Sequence, residues 1–269
     1  MSGVTAQFKA FQSEFEGKAP NYAKCTKLLN ELKIALVEEG FLVPGASDGG
    51  ETARAVLEYA VLLAVKQRET EAFERHMTQL AAYYADYRDV LAPSEKEAHM
   101  VSLHLLHVLT RDSEYPAPFH MLLETLPAAV LANPQVAAVV ELEQLLNDGR
   151  YANVIEMTSQ LAADASSYEA YFANKLRDAV KAEMAACVAT AYADMPVARA
   201  KTLLVCESDA ELAELAADFG WLIDAGVVHL RPGGTATTPT AAASAEAKVP
   251  SLRVISDMLG YARDLERIV

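Results

Sequence analysis

The sequence predicts a mainly α protein in three parts: a degenerate solenoid of helix pairs, a winged helix, and a C-terminal helix on a tether. Three observations carry that expectation. Apolar residues recur at helical spacing along most of the 269 residues. The stretch that departs from this, Asp209–Leu230, reads as a short helix, a glycine stop and two short strands around a tight turn. A run of small residues then separates it from a last periodic segment, Ser251–Val269. The expected divisions are 1–180, 181–231, 232–250 and 251–269.

Taken in order, Cys25, Leu28, Leu32 and Ala35 predict one buried helix face, ended by Gly40. Residues 44–50 read as a loop, and Asp48 with Glu51 as the capping box of the next helix. That helix is apolar on most sides from Val56 to Val65, so it should be central. Phe73, Met77, Leu80, Tyr84, Tyr87 and Leu91 repeat at spacings of four and three. Ser94 and Glu97, after Pro93, signal another helix with Val101, Leu105, Val108 and Leu109 on its apolar face. Shorter helices are expected at Pro118–Leu126, Pro134–Leu146, Tyr151–Ala162 and from Tyr168 onward. Tight links such as Asn147-Asp148-Gly149-Arg150 between helices point to a right-handed array of tetratricopeptide type, without a fixed period.

In the winged-helix part, Leu212, Leu215, Ala216 and Phe219 share a face, Ser208 and Glu211 form a capping box, and Gly220 supplies the stop. Trp221–Asp224 and Val227–Leu230 read as strands around Ala225-Gly226. A DNA-binding version would carry Arg and Lys on the helix before the wing. This one carries Asp209, Glu211, Glu214 and Asp218 and no basic residue. A carboxylate about 7 Å from a phosphate is repelled by roughly 0.5 kcal/mol even in water, and counterion release would be missing. The expected partner of this face is therefore protein.

Composition agrees. The net charge of −14 argues against nucleic acid or an anionic membrane as main partner. At 52% hydrophobic the chain can bury a large core. No leader pattern opens the chain and no apolar run reaches the roughly 18 residues that a membrane span needs. Cys25, Cys187 and Cys206 lie far apart without a CxxC pair, which suits buried structural thiols in a reducing compartment. The expectation is a soluble intracellular protein. In Ser251–Val269, Val254, Met258, Tyr261, Leu265 and Ile268 form one stripe, widened by Ile255, Leu259 and Ala262. A lone helix of this length is marginal in water, and its stripe offers burial on the order of 10 kcal/mol. It either folds back on its own chain or joins helices of other subunits, and the long tether tilts the balance towards a partner.

Several segments together resemble the small PCI-domain subunit of the 26S proteasome regulatory-particle lid, the non-ATPase regulatory subunit 8 family. They are Asn21-Tyr22-Ala23-Lys24-Cys25, Ala53–Glu58, Phe73–Leu80, Tyr83-Tyr84-Ala85-Asp86-Tyr87, Gly149–Val154, Arg177–Met184, Gly220-Trp221 and the terminus Tyr261–Val269. The tyrosine-rich block and the terminus are the specific ones. The Ala-rich linker and Tyr115–Pro118 depart from the pattern. The resemblance implies a non-catalytic scaffold of the cytoplasm and nucleus, without cofactor, acting in ubiquitin-dependent degradation. Its winged helix would sit beside those of other PCI subunits in a hetero-oligomer, and its C-terminal helix would enter a shared bundle. Carried to this chain, Val254, Met258, Tyr261, Leu265 and Ile268 become bundle anchors, and Arg267, Ile268 and Val269 contact the base scaffold. An open strand edge at Val227, Val228 and Leu230 is expected to pair with a neighbouring subunit. The alternative is a PCI subunit of the signalosome or of translation initiation factor 3.

Enzyme motifs are missing. There is no GxxxxGK[ST] loop and no GxSxG elbow. The lid deubiquitinase pattern His-x-His…Ser…Asp is absent too. His99, His104 and His107 form the only histidine cluster, but His99 falls about 140° round the helix from His104, which favours ordinary helix histidines over a zinc site. Glu38-Glu39 and Glu141/Glu143 read as solvated faces, and Tyr83, Tyr84 and Tyr87 as packing between helices.

Overall fold

Val56 to Val65 form an unbroken buried run in the third helix, and the first half of the molecule is built round it. In the computed structural model the described residues are 2–17, 21–40, 49–88, 90–111, 116–163, 167–206, 208–224 and 226–230, with 255, 258, 259, 262, 263 and 266 further on. The elements are α1 (Ser2–Phe15), α2 (Tyr22–Glu38), α3 (Gly50–Gln67), α4 (Thr70–Asp86), α5 (Glu97–Leu109) and α6 (Pro116–Thr125). Then come α7 (Ala128–Leu131), α8 (Pro134–Asn147), α9 (Tyr151–Leu161), α10 (Glu169–Ala191) and β1 (Asp194–Pro196). Last are α11 (Val197–Leu204), α12 (Asp209–Phe219), β2 (Leu222–Asp224) and β3 (Val227–His229). The fold is mainly α, as the periodicity predicts.

The chain divides into two units, Met1–Cys187 and Val188–Val269. In the first, neighbours in sequence are neighbours in space: α1 packs on α2, α2 on α3, α3 on α4, and α8 on α9. The exception is α5, which meets α6, α7 and α8. The α8–α9 turn is tight because Gly149 takes φ +70°, open to glycine without steric cost. Asn133 caps α8 by accepting from Gln135 N at 3.0 Å, with Pro134 preset for the first turn.

The α1 helix has no counterpart in the sequence reading, although Val4, Phe8, Phe11 and Phe15 stand at helical spacing. Its aromatic residues surround Tyr59 of α3 edge-on, with ring centroids 5.7–6.1 Å apart. The Tyr59 hydroxyl donates to Glu16 Oε1 (2.7 Å) and accepts from Gln12 Nε2 (2.9 Å). Burial and the Glu16 carboxylate push that phenol up to about 12.

Four expectations shift. The buried stripe of α2 is Cys25, Leu29, Leu32 and Leu36, so Leu28 and Ala35 flank it. The α4 helix ends at Asp86, and the buried Leu91 lies beyond it, against Gly50. Glu51 sits in the first turn of α3 with Gly49 as cap, while Asp48 falls outside the described residues. Ser94 and Glu97 do not form a capping box, because both are used across the core. Ser94 Oγ donates to Glu58 Oε1 (2.6 Å), and Glu97 takes Arg88 Nη2 at 2.6 Å. Tyr84 Oη donates to the same Glu58 oxygen at 2.9 Å. Burial and that carboxylate hold the Tyr84 phenol far above its usual range. This network joins α3, α4 and the lead-in to α5 by buried hydrogen bonds, which are costly to break singly.

Candidate protein-interaction surface

The second unit is a small winged helix. Antiparallel β3 lies between β1 and β2, with Met195 opposite Val228 and Ile223 opposite Val228 on the other side. Hydrogen bonds beyond the strands extend the β1–β3 pairing, from Val197 N to Gly226 O (3.0 Å) and from Leu230 N to Ala193 O (2.8 Å). The core is Met195, Ala200, Leu204, Leu212, Ala216, Trp221, Val228 and Leu230. The α12 helix starts and stops as its sequence dictates: Ser208 Oγ accepts from Glu211 N (3.2 Å), and Gly220 closes the helix at φ +68°. Trp221 then turns inward, its N–H on Ala216 O at 2.7 Å and its ring stacked on Phe219.

The expected open edge at Val227–Leu230 is corrected by this topology. β3 is the central strand, with both sides paired, and Val228 and Leu230 are buried. A strand entering from before α11 takes the side that a two-stranded wing would leave free, and the three residues of β1 are too short to give a periodic signal. Among the described strands β1 and β2 are the two edges, and β2 is the one that carries exposed large apolar side chains, Leu222 at 64% and Ile223 at 45%. Sequence reasoning found this strand but could not tell its outward face, since Trp221 to Ile223 is apolar throughout.

The surface around it is acidic. Asp209, Glu214 and Asp218 are exposed and Glu211 is half-buried. Lys201 of α11 pairs with Asp209, and His229 Nδ1 lies 2.6 Å from Asp194 Oδ1 across β3 and β1. Of the expected C-terminal anchors, Met258 is described, and it is helical and exposed, as are Ile255 and Leu259. Val254, Tyr261, Leu265, Arg267, Ile268 and Val269 lie outside the described residues, as does the linker.

The helical unit holds the titratable clusters. His107 donates from Nε2 to Glu74 Oε1 at 2.9 Å, leaving Nδ1 buried without a partner among the described residues. Burial holds the His107 imidazole below its usual range against the pull of Glu74. Burial, with His107 beside it, lowers His104 to about 4. His99 contacts Glu169 at 3.0 Å. Although burial raises the Glu169 carboxyl, hydrogen bonds from His99 and Ser167 outweigh it and bring the value to about 2. Among the described residues no three His, Cys, Asp or Glu side chains converge as metal ligands, and no helix is long and apolar enough to cross a membrane. Two expectations fail here. Glu143 is not on a solvated face but buried, within 3.4 Å of His120 Nε2 and hydrogen-bonded by Asn147. Cys25 is buried, its thiol raised chiefly by that burial, whereas Cys187 is exposed.

A mainly helical chain of twelve described helices and few strands, with a winged helix after the helical array, is consistent with a PCI-type helical fold. The sequence profile of the CSN8/PSMD8/EIF3K family matches residues 95–240. The chain is 34% identical to the 26S proteasome non-ATPase regulatory subunit 8 homolog A of Arabidopsis thaliana, over 100% of this chain and 98% of the relative. It is 31% identical to the 26S proteasome regulatory subunit rpn12 of Schizosaccharomyces pombe, over 76% and 74%. Against the 26S proteasome regulatory subunit RPN12 of Saccharomyces cerevisiae it is 23% identical over 93% of each. The chain belongs to the CSN8/PSMD8/EIF3K family, on its 26S proteasome non-ATPase regulatory subunit 8 branch.

Proposed function

We propose that this chain is a non-catalytic subunit of the 26S proteasome regulatory-particle lid, serving ubiquitin-dependent degradation in cytoplasm and nucleus. Its winged helix contacts other PCI subunits, and its C-terminal helix supports lid completion and docking of the lid on the base. The observation that carries this reading is end-to-end similarity to a relative named as a proteasome regulatory subunit. The apolar residues left in water on the C-terminal helix and on β2 give it a physical basis, because such surface is normally covered by a partner. Val254, Met258, Tyr261, Leu265 and Ile268 are the proposed anchors in a helix bundle, with Arg267, Ile268 and Val269 against the base scaffold.

Native affinity purification with mass spectrometry tests the reading. Proteasomal ATPases and lid subunits are the expected partners, and recovery of signalosome or initiation-factor subunits in their place would refute it. Deleting 251–269 should leave the rest folded and abolish incorporation, as should Met258→Asp or Leu265→Asp, since a charge buried unpaired in an apolar bundle is not tolerated. Normal incorporation of all three would remove the C-terminal helix from the proposal.

A further inference from the structure

The helical unit contains a cavity of about 770 Å³ that the scaffold role leaves unexplained. Its walls are the start of α2, the end of α3, the end of α9 and the first half of α10. Lys66, Arg68 and Lys175 line it, in a chain with 23 basic and 37 acidic residues. Asp178 is the one acid among the described lining residues, and Arg177 Nε stands 3.9 Å from it. Lys66 Nζ is held 4.3 Å over the Tyr168 ring. Neither Arg68 nor Lys175 has an ion-pair partner among the described residues. Among the described residues the charge on this wall is therefore only partly answered.

A second observation concerns Arg68 alone. It closes α3 with φ 60° and ψ 30°, the left-handed conformation. Among the described residues Gly40, Gly149, Gly220 and Gly226 are the glycines with positive φ, and Arg68 and Val205 are the non-glycine ones. Glycine would hold this position without steric cost, so arginine carries a conformational penalty. The end of α3 does not need its side chain as a cap: Arg68 N already bonds Val65 O and Glu69 N bonds Ala64 O, both at 3.0 Å. Strain kept where the backbone does not require the residue points to a use for the guanidinium.

We infer that this cavity binds an extended acidic peptide segment of a partner protein. Arg68 and Lys175, which line the cavity, meet its carboxylates, and Arg68 offers the planar fork that a carboxylate accepts in two bonds. Asn174, Tyr22 and Tyr171 also line the cavity, and a carboxamide both donates to and accepts from a peptide backbone. A peptide suits the site better than a small anion because the volume lies in the range of ligand pockets and the floor at Val65 and Ala170 is apolar. The inference is independent of the proposed complex, since the isolated full-length chain suffices to test it.

The test is fluorescence anisotropy of a fluorescein-labelled peptide alternating Glu and Ser, titrated with the full-length chain at low and physiological salt. Saturable binding that weakens with salt is expected, at least tenfold weaker when every Glu of the peptide is Gln. Lys175→Gln and Arg68→Gly should each weaken binding at least fivefold, while Lys27→Gln, outside the cavity, should not change it. Arg68→Gly should keep or raise the melting temperature, so lost binding cannot be laid to misfolding. Equal binding of the Gln peptide, unchanged binding by both cavity variants, or equal loss in Lys27→Gln would overturn the inference. Complete displacement by millimolar inorganic phosphate would reassign the cavity to a small anion and overturn the peptide.

Discussion

The two units treat their polar and apolar groups in opposite ways. Every buried polar or charged side chain among the described residues lies in the helical unit: Glu58, Glu97, Ser102, His107, Thr110, Glu143, Thr158 and Lys181. Among its described residues that unit, 187 residues long, exposes four large apolar side chains, Ile34, Val37, Val90 and Met121. The second unit has fewer than half as many residues, and its described residues expose six: Tyr192, Leu222, Ile223, Ile255, Met258 and Leu259. The helical unit has spent its apolar surface internally and is pinned by buried hydrogen bonds. The winged-helix unit keeps a small core and leaves apolar area in water at about 25 cal/mol per Å², a cost that association would recover.

If the comparison is right, truncations in the helical core carry the largest penalty. Phe73 is 1% exposed and packs 5.1 Å, ring to ring, from both Phe172 and His107. Phe73→Ala should destabilise the helical unit by about 3–5 kcal/mol, read from urea unfolding by circular dichroism. Trp221, the only tryptophan, reports the winged helix separately by fluorescence. A loss below about 1 kcal/mol would mean that this core is not what holds the unit.

The next effect comes from the buried polar network. Glu58→Ala strands the Tyr84 and Ser94 hydroxyls, which both donate to the lost carboxylate. A loss of about 2–3 kcal/mol is expected, with Glu58→Gln costing less because its carbonyl still accepts. Equal losses would make charge, through Arg54 at 3.9 Å, the dominant contribution instead.

A smaller effect depends on pH. His104 is lowered to about 4 from 6.5, by burial first and by His107 second, against an opposing pull from Glu74. Above pH 6.5 both folded and unfolded states hold it neutral. Below that, the unfolded state takes the proton first, so stability falls as pH drops towards 4 and then levels off for this group. The shift alone gives an upper bound on the order of 3 kcal/mol, and the partly open side of the ring reduces this to about 2 kcal/mol. The difference between wild type and His104→Gln, followed by urea unfolding from pH 7.5 to 4, isolates the contribution. A pH-independent difference would rule it out.

What the sequence made legible follows the same divide. Helices with long apolar faces were readable, α3 most of all, because ten successive buried positions leave no other assignment. The α12 start and stop were readable because Ser208 and Gly220 act locally. Long-range choices were not. Ser94 and Glu97 satisfy a local capping pattern, yet Glu58 and Arg88 compete for them from distant turns. Likewise the strand order could not be read from Val227–Leu230, since both faces of a strand that short look alike until β1 is known to pair with it. Of the candidate interface, the C-terminal stripe is readable as a sequence pattern, of which Met258 is described and exposed, while the edge needed the sheet to locate it.

The smallest expected change in stability is the most informative about the interface. Leu222→Lys and Ile223→Lys place charges on edge strand β2, where both side chains already meet water. Surface substitutions of this kind change stability by less than about 0.5 kcal/mol, so Trp221 fluorescence should report an unaltered urea midpoint. A covered interface would respond differently, because the lysines would have to be desolvated against a partner. Reduced recovery in complexes with an unchanged midpoint would mark β2 as a contact edge. Val228→Lys supplies the contrast, as Val228 is fully buried on the central strand and its replacement should unfold the wing. If Val228→Lys left the midpoint unchanged, β3 would be a free strand after all. If the β2 lysines entered complexes as well as wild type, the apolar β2 edge would be surface without a partner, and the contrast between the units would rest on the C-terminal helix alone.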